Sequence, residues 1–282
     1  MSETNCIAIL MAVYNGEKYL ADQIDSILRQ THSEWVLYIH DDGSKDRTLA
    51  IVNDYVAKYP EKIHVLSYPS QGGACRNFLS LLERVNADYY MFSDQDDVWK
   101  DDKVEREWIR LQGAEHTNPN KPVIVFSDLV VTDSALKEVH PSLWTIAGIY
   151  PDFVTTFNEM AANTLVTGCT MLFNSKVKAI LPATAQYITM HDAWLACCTM
   201  KNGGILCPLY EPTVLYRQHA ANTLGAQNVA SMSVLERMRR LPVSYRINKE
   251  LYLMLNELSY GSIFKYLWFK YQYHKKIKNS KP

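Results

Sequence analysis

The sequence predicts an α/β fold: a Rossmann-like, mostly parallel sheet flanked by helices, with a C-terminal helical extension. Three observations predict it. Apolar runs of strand length alternate with stretches of helical periodicity over residues 6–131. Polar, acid-rich loops follow the ends of several of those runs, where parallel sheets bind their ligands. From Ser231 onward strand runs give way to aromatics interleaved with lysines.

Taken in order, Cys6 to Val13 is the first strand, and Glu17 to Arg29 a helix with Tyr19, Leu20, Ile24, Ile27 and Leu28 on one side. Trp35 to Ile39 is the second strand and ends in His40-Asp41-Asp42-Gly43-Ser44; Asp46 to Lys58 follows as a helix. Ile63 to Leu66 and Asn77 to Val85 form the third pair. Tyr89 to Phe92 is the fourth strand, with Trp99 to Leu111 read as the next helix, capped by Asp97 or Asp101, and Val123 to Val131 as a fifth strand. Residues 132–230 are less regular, as a region that shapes an acceptor is expected to be. The chain divides into a domain over 1–230 and an extension over 231–282.

A net charge of −1 gives no reason to expect a nucleic-acid partner, but it hides an asymmetry. Residues 231–282 hold 11 Lys and Arg against 3 acids, leaving 18 against 27 in the remainder. The six cysteines show no CxxC pair or metal-finger spacing and read as indifferent thiols of a reducing compartment. The N-terminus lacks a secretory pattern and no apolar run is long enough to span a bilayer, so the expected location is cytoplasmic.

The most informative stretch is Ser93-Asp94-Gln95-Asp96-Asp97-Val98-Trp99. Clustered carboxylates at a strand end are costly unless a cation joins them, and oxygen ligands suit Mg²⁺ or Mn²⁺ shared with phosphates. The plainer reading is a solvated turn before a helix. At the second strand end, Gly43, Ser44 and Asp46 serve a turn and a cap, but two adjacent acids exceed what one cap needs. A carboxylate there suits the imide N–H of a uracil or thymine base. Gly72-Gly73-Ala74-Cys75-Arg76 is neither a dinucleotide fingerprint nor a P-loop; Arg76 is either a surface residue or a partner for a diphosphate. Asp192 opens an apolar helical stretch, either as a charge favoured by the helix dipole or as a general base. His219 is either an ordinary satisfied histidine or a nitrogen ligand, and Arg217 a partner for phosphate or for Asp192.

In order along the chain, Ala12-Val13-Tyr14-Asn15, Asp41-Asp42-Gly43-Ser44, Asp94-Gln95-Asp96-Asp97, Gly168, His191-Asp192 and His219 resemble the family 2 inverting glycosyltransferases of the GT-A fold. The resemblance covers roughly residues 5–225. Tyr216-Arg217-Gln218-His219 and Phe126-Ser127-Asp128 look like the rhamnosyltransferase branch. Two departures stand out: His191 replaces the usual Glu before the catalytic Asp, and the QxxRW motif of processive synthases is missing, which favours transfer of one sugar.

The resemblance implies a binding set for the sugar nucleotide of Ala12, Tyr14, Asp41, Asp42, Arg76, Asp94, Gln95 and Asp96. Tyr14 and Asp41 would flank the base, Asp96 and His219 would ligate Mn²⁺ or Mg²⁺ with Asp94 beside them, Gly168 would allow acceptor-side packing, and Asp192 would be the catalytic base. The implied donor is a nucleotide-diphosphate sugar of UDP or dTDP type, and the acceptor a glycan or lipid-linked oligosaccharide of a cell-surface polysaccharide. Rival readings are a non-catalytic binder of nucleotide sugars or glycans and a sugar nucleotidyltransferase. The basic aromatic tail is either an interfacial helix on anionic lipid or a helical subdomain packed on the core.

Overall fold

The computed structural model describes residues 6–163, 165–219 and 248–280. Within them a nine-stranded sheet is built in the order β3-β2-β1-β4-β8-β6-β9-β5, with β7 added beside β6. The strands are β1 (Ile7–Val13), β2 (Trp35–Asp41), β3 (Ile63–Val65), β4 (Tyr89–Ser93), β5 (Val98–Trp99), β6 (Val123–Thr132), β7 (Glu138–His140), β8 (Met171–Asn174) and β9 (Ile205–Arg217). Parallel pairing joins β1 to β2 and β4, β2 to β3, and β6 to β9, while β8 runs antiparallel between β4 and β6. Two reversals across β8 cancel, so β1, β2, β3, β4, β6 and β9 all point the same way. Their carboxyl ends form one edge, and the loops of Tyr14, Asp42 and Asp94 to Asp97 leave the sheet there.

The helices are α1 (Leu20–Leu28), α2 (Thr48–Lys58), α3 (Ala74–Arg84), α4 (Lys103–Thr117), α5 (Leu143–Ala147), α6 (Phe157–Ala162), α7 (Ser175–Ala179) and α8 (His191–Lys201). After them come α9, described over 248–257, and α10 (Ile263–Ser280). Alternation along β1 fixes the two layers. Ile7, Ile9, Met11 and Val13 face α1, α2 and α4, whose Ile24, Val52 and Trp108 belong to the same buried cluster. Ala8 and Leu10 face the opposite cluster, which takes in Phe78 of α3, Trp194 of α8 and Tyr266 and Tyr273 of α10. Each side of the sheet is therefore covered, as parallel strands require.

Two expectations are corrected. Trp99 does not open a helix: Val98 and Trp99 pair with Leu215 and Val214 of β9, and α4 begins at Lys103. A long-range strand partner outweighs local helical periodicity there. Neither Asp97 nor Asp101 caps α4; the cap position is Asp102, without a side-chain bond. Asp97 is instead buried, and Asp101 lies 3.4 Å from Arg29.

The C-terminal extension packs on the core. Met254, Leu255, Leu258, Tyr260, Tyr266 and Tyr273 are buried in the cluster that holds α8. The expected boundary at 230/231 and the helical expectation for 231–247 lie outside the described residues.

Candidate active site

The acid loop leaves β4 at Ser93 and is held from the far side of the sheet by β9. Arg217, the last residue of β9, is 3% exposed and braces the loop. Its backbone N–H donates to Asp97 Oδ1 at 3.1 Å, and its Nε donates to the Asp96 carbonyl at 2.8 Å. Its other nitrogens reach the Ser134 carbonyl at 3.0 Å and Asp22 Oδ2 at 2.8 Å, and the guanidinium lies 4.4 Å from the Tyr19 ring centre. Asp22 and the Asp96 and Ser134 carbonyls are thus protein partners of Arg217. Two residues further on, His219 Nε2 stands 2.7 Å from Asp96 Oδ2, its ring 4.9 Å from Tyr19.

The three acids divide. Asp96 faces His219, whereas Asp94 and Asp97 turn toward the Cys169 thiol, with one ligand atom of each of these three residues within 4.8 Å of the others. Burial, followed by the charges of Asp96 and Asp192, pushes the Asp94 carboxyl up to about 7. Burial and then the Asp94 and Asp96 charges push Asp97 well above the carboxylate range. Such a cluster fits a divalent cation, which removes the repulsion that otherwise favours protonation. Asp96 and His219 offer one oxygen and one nitrogen atom, and Cys169 offers a soft sulfur that its sequence context did not reveal.

Asp192 comes in from the other layer, in the first turn of α8. It is 5% exposed; its Oδ2 accepts the Gly168 N–H at 3.0 Å and its Oδ1 the Ala193 N–H at 2.7 Å. Both bonds fix the carboxylate, which has no ion pair among the described residues, and its charge is felt at Asp94. Gly168 is confined as well: a Cβ there would lie 2.6 Å from His191 Nε2. His191 is wedged between Phe78 and Phe92, ring centres 4.4 and 4.8 Å away, and burial lowers its pKa. His191 is a buried packing residue, and the carboxylate that the resemblance expects at this place is absent.

The sugar-nucleotide side is a set of interlocked loops. Ala12 of β1 sits opposite His40 of β2, and Tyr14 just beyond is 52% exposed, a free ring face at the edge. Asp41 accepts from the Gly43 and Ser44 N–H groups at 3.1 and 2.9 Å and from the Ser44 hydroxyl. Asp42 is wrapped by the glycine loop, accepting from Ser70 Oγ at 2.9 Å and from the N–H groups of Gln71, Gly72 at 3.3 Å and Gly73 at 2.8 Å. Burial opposes ionisation of Asp42, yet these donors hold its pKa below the usual value. Gln95 bonds the Tyr14 backbone twice, and Gly16 leaves it room. Arg76 is exposed on the first turn of α3, with no ion pair among the described residues.

An α/β sheet with an acid loop, an Asp–His pair and an opposed buried carboxylate at one strand edge is the arrangement of a nucleotide-sugar transferase. The glycosyl transferase family 2 model matches residues 8–177, and the chain belongs to that family. It is 31% identical over 231 residues to the dTDP-rhamnosyl transferase RfbG of Shigella flexneri, covering 77% of this chain and 74% of that protein. It is 37% identical over 101 residues to the teichuronic acid biosynthesis glycosyltransferase TuaG of Bacillus subtilis, which it spans for 40% of that length. Among solved structures, S. aureus TarS with UDP-GlcNAc superposes with a TM-score of 0.56 at 16% identity, covering 81% of this chain and 62% of that one. The mannosyltransferase PcManGT of Pyrobaculum calidifontis, with GDP-Man and Mn²⁺, gives 0.57 at 14% identity, covering 78% and 58%. These likenesses establish the GT-A architecture, and the protein is a glycosyltransferase.

Proposed function

We propose that this chain transfers a single sugar, rhamnose being the candidate, from a UDP- or dTDP-type donor to a hydroxyl of a glycan or lipid-linked oligosaccharide at the inner face of the membrane. The observation that carries the reading is the meeting of Asp94, Asp96 and His219 with Asp192 at one sheet edge, close enough for the Asp192 charge to raise Asp94. The 31% identity to a dTDP-rhamnosyl transferase supports the choice of sugar.

In this reading the base stacks on Tyr14, with the Asp41 turn beside it, and Arg76 pairs with the diphosphate. Asp96 and His219, with Asp94 beside them, would hold Mn²⁺ or Mg²⁺, which would supply positive charge to neutralise the departing diphosphate. Asp192 accepts the proton of the acceptor hydroxyl. Its oxygen attacks the anomeric carbon opposite the leaving group; the new C–O bond forms as the bond to phosphate breaks, so configuration inverts. The Gly168 and Ala193 N–H groups aim the Asp192 carboxylate and leave each oxygen a free lone pair.

The test is release of nucleoside diphosphate from a panel of UDP-, dTDP-, GDP- and CMP-sugars, with Mn²⁺ or Mg²⁺ and then with chelator. Metal-dependent turnover of a dTDP or UDP sugar is the expected result. Turnover confined to GDP- or CMP-sugars overturns the choice of base, and no nucleotide binding across the panel overturns the transfer reading.

A further inference from the structure

Helix α10 is apolar on two opposite sides. At 100° per residue, Tyr266, Phe269, Tyr273 and Ile277 share the inner face, and Tyr266 and Tyr273 are buried there. Phe264, Leu267, Trp268 and Tyr271 follow i, i+3, i+4, i+7 spacing on the outer face and are 79%, 53%, 57% and 59% exposed. Lys275 and Lys278 continue that outer row toward the C-terminus, both exposed and without an ion pair among the described residues. The helix holds five lysines and no acid.

From this face we infer that α10 is an anionic-membrane docking element, lying in the plane of the bilayer with Phe264, Leu267, Trp268 and Tyr271 in the headgroup–acyl boundary. Aromatic rings with polar tips suit that boundary, and lysines reach the phosphates beside it. A second copy of the chain fits less well, since the helix carries five lysines and no acid, so pairing this face with itself gathers positive charge with no acid on the helix to offset it. The inference rests on the reading that the acceptor is presented by a membrane, and its test does not use the transfer reaction.

The inner face shows why docking there would orient catalysis. Tyr273 Oη accepts the Tyr150 N–H at 2.8 Å and donates to the Gly148 carbonyl at 3.3 Å. Lys276 lies 2.8 Å from Glu159 of α6, and Tyr260, just before α10, donates to the Asn158 carbonyl at 3.1 Å. Helix α10 is thereby bolted to the segment between β6 and β8, and a plane defined by its outer face is rigidly related to Asp192.

The experiment is flotation of the full chain with vesicles of phosphatidylglycerol and phosphatidylcholine, and with phosphatidylcholine alone. Co-flotation with the anionic vesicles only is expected. Lys275→Gln with Lys278→Gln should weaken partitioning roughly 30-fold, and Leu267→Ser with Trp268→Ser should weaken it at least as much. Donor hydrolysis should stay at the wild-type rate in both variants. Flotation unchanged by either pair overturns the proposal. So does a wild-type dimer in light scattering that Leu267→Ser with Trp268→Ser makes monomeric while neither protein binds vesicles. Intact anionic flotation of a chain that binds no sugar nucleotide would sink the transfer reading and leave this one standing.

Discussion

Gln95 grips Tyr14 through its backbone alone. Its Oε1 accepts the Tyr14 N–H at 2.9 Å, and its Nε2 donates to the Tyr14 carbonyl at 2.9 Å. The middle residue of Asp-Gln-Asp therefore ties the β1 loop, which offers the Tyr14 ring, to the β4 loop, which offers the carboxylates. A Cβ at Gly16 would run into Gln95 Oε1, so the clamp needs glycine there.

Loss of the clamp should loosen sugar-nucleotide binding more than chemistry. Gln95→Ala is expected to raise the donor KM about 10-fold with a smaller change in kcat, since each hydrogen bond contributes ~1 kcal/mol. Gln95→Glu should be worse, because a carboxylate cannot donate to the Tyr14 carbonyl. Steady-state kinetics with donor varied reads the split; an equal fall in kcat at unchanged KM would remove Gln95 from this positioning role.

Asp192→Asn keeps an oxygen that can accept the Gly168 N–H but removes the proton acceptor. Transfer should fall ~10²–10⁴-fold while nucleotide affinity by calorimetry stays near wild type. Parallel loss of binding would show that Asp192 organises the site instead of taking the proton.

Gly168→Ala tests the packing behind that carboxylate. The added Cβ meets His191 Nε2 at 2.6 Å, and His191 is hemmed in by Phe78 and Phe92. Overpacking of this kind costs ~1–3 kcal/mol, read as a lower urea midpoint, and it should displace Asp192 enough to lower kcat. An unchanged midpoint would mean that His191 yields freely.

Glu159 anchors α10 electrostatically. Burial works against its charge, but the Lys276 ammonium and the Thr155 and Thr156 donors bring its pKa down to about 2. A depressed carboxylate stabilises the fold above its unfolded pKa, near 4.5, and that contribution disappears as pH falls through the folded value. Glu159→Gln should cost ~1–3 kcal/mol at pH 7 by urea unfolding, with the gap to wild type closing between about pH 4.5 and 2. A pH-independent gap would assign the cost to packing.

Much of this was legible in the chain. Alternation of strand and helix runs gave the sheet and both its layers, because burial on two faces leaves an apolar period that any reader of the sequence can follow. The acid loop, the Asp41-Asp42 turn and the helix opening at Asp192 declared themselves by residue type at strand and helix ends. What residue order could not carry was partnership at long range. Asp96 and His219 are 123 residues apart, and they meet because β9 returns parallel to β6 and ends at the same edge. The same return turns Arg217 into a brace for the acid loop and converts Trp99 from a helix start into a strand. Cys169 looked like an idle thiol until the fold set it against Asp94 and Asp97. Local periodicity is written in neighbouring residues and survives in the sequence; which carboxylate faces a histidine, a thiol or a backbone N–H depends on strand order and register, which only the folded sheet decides.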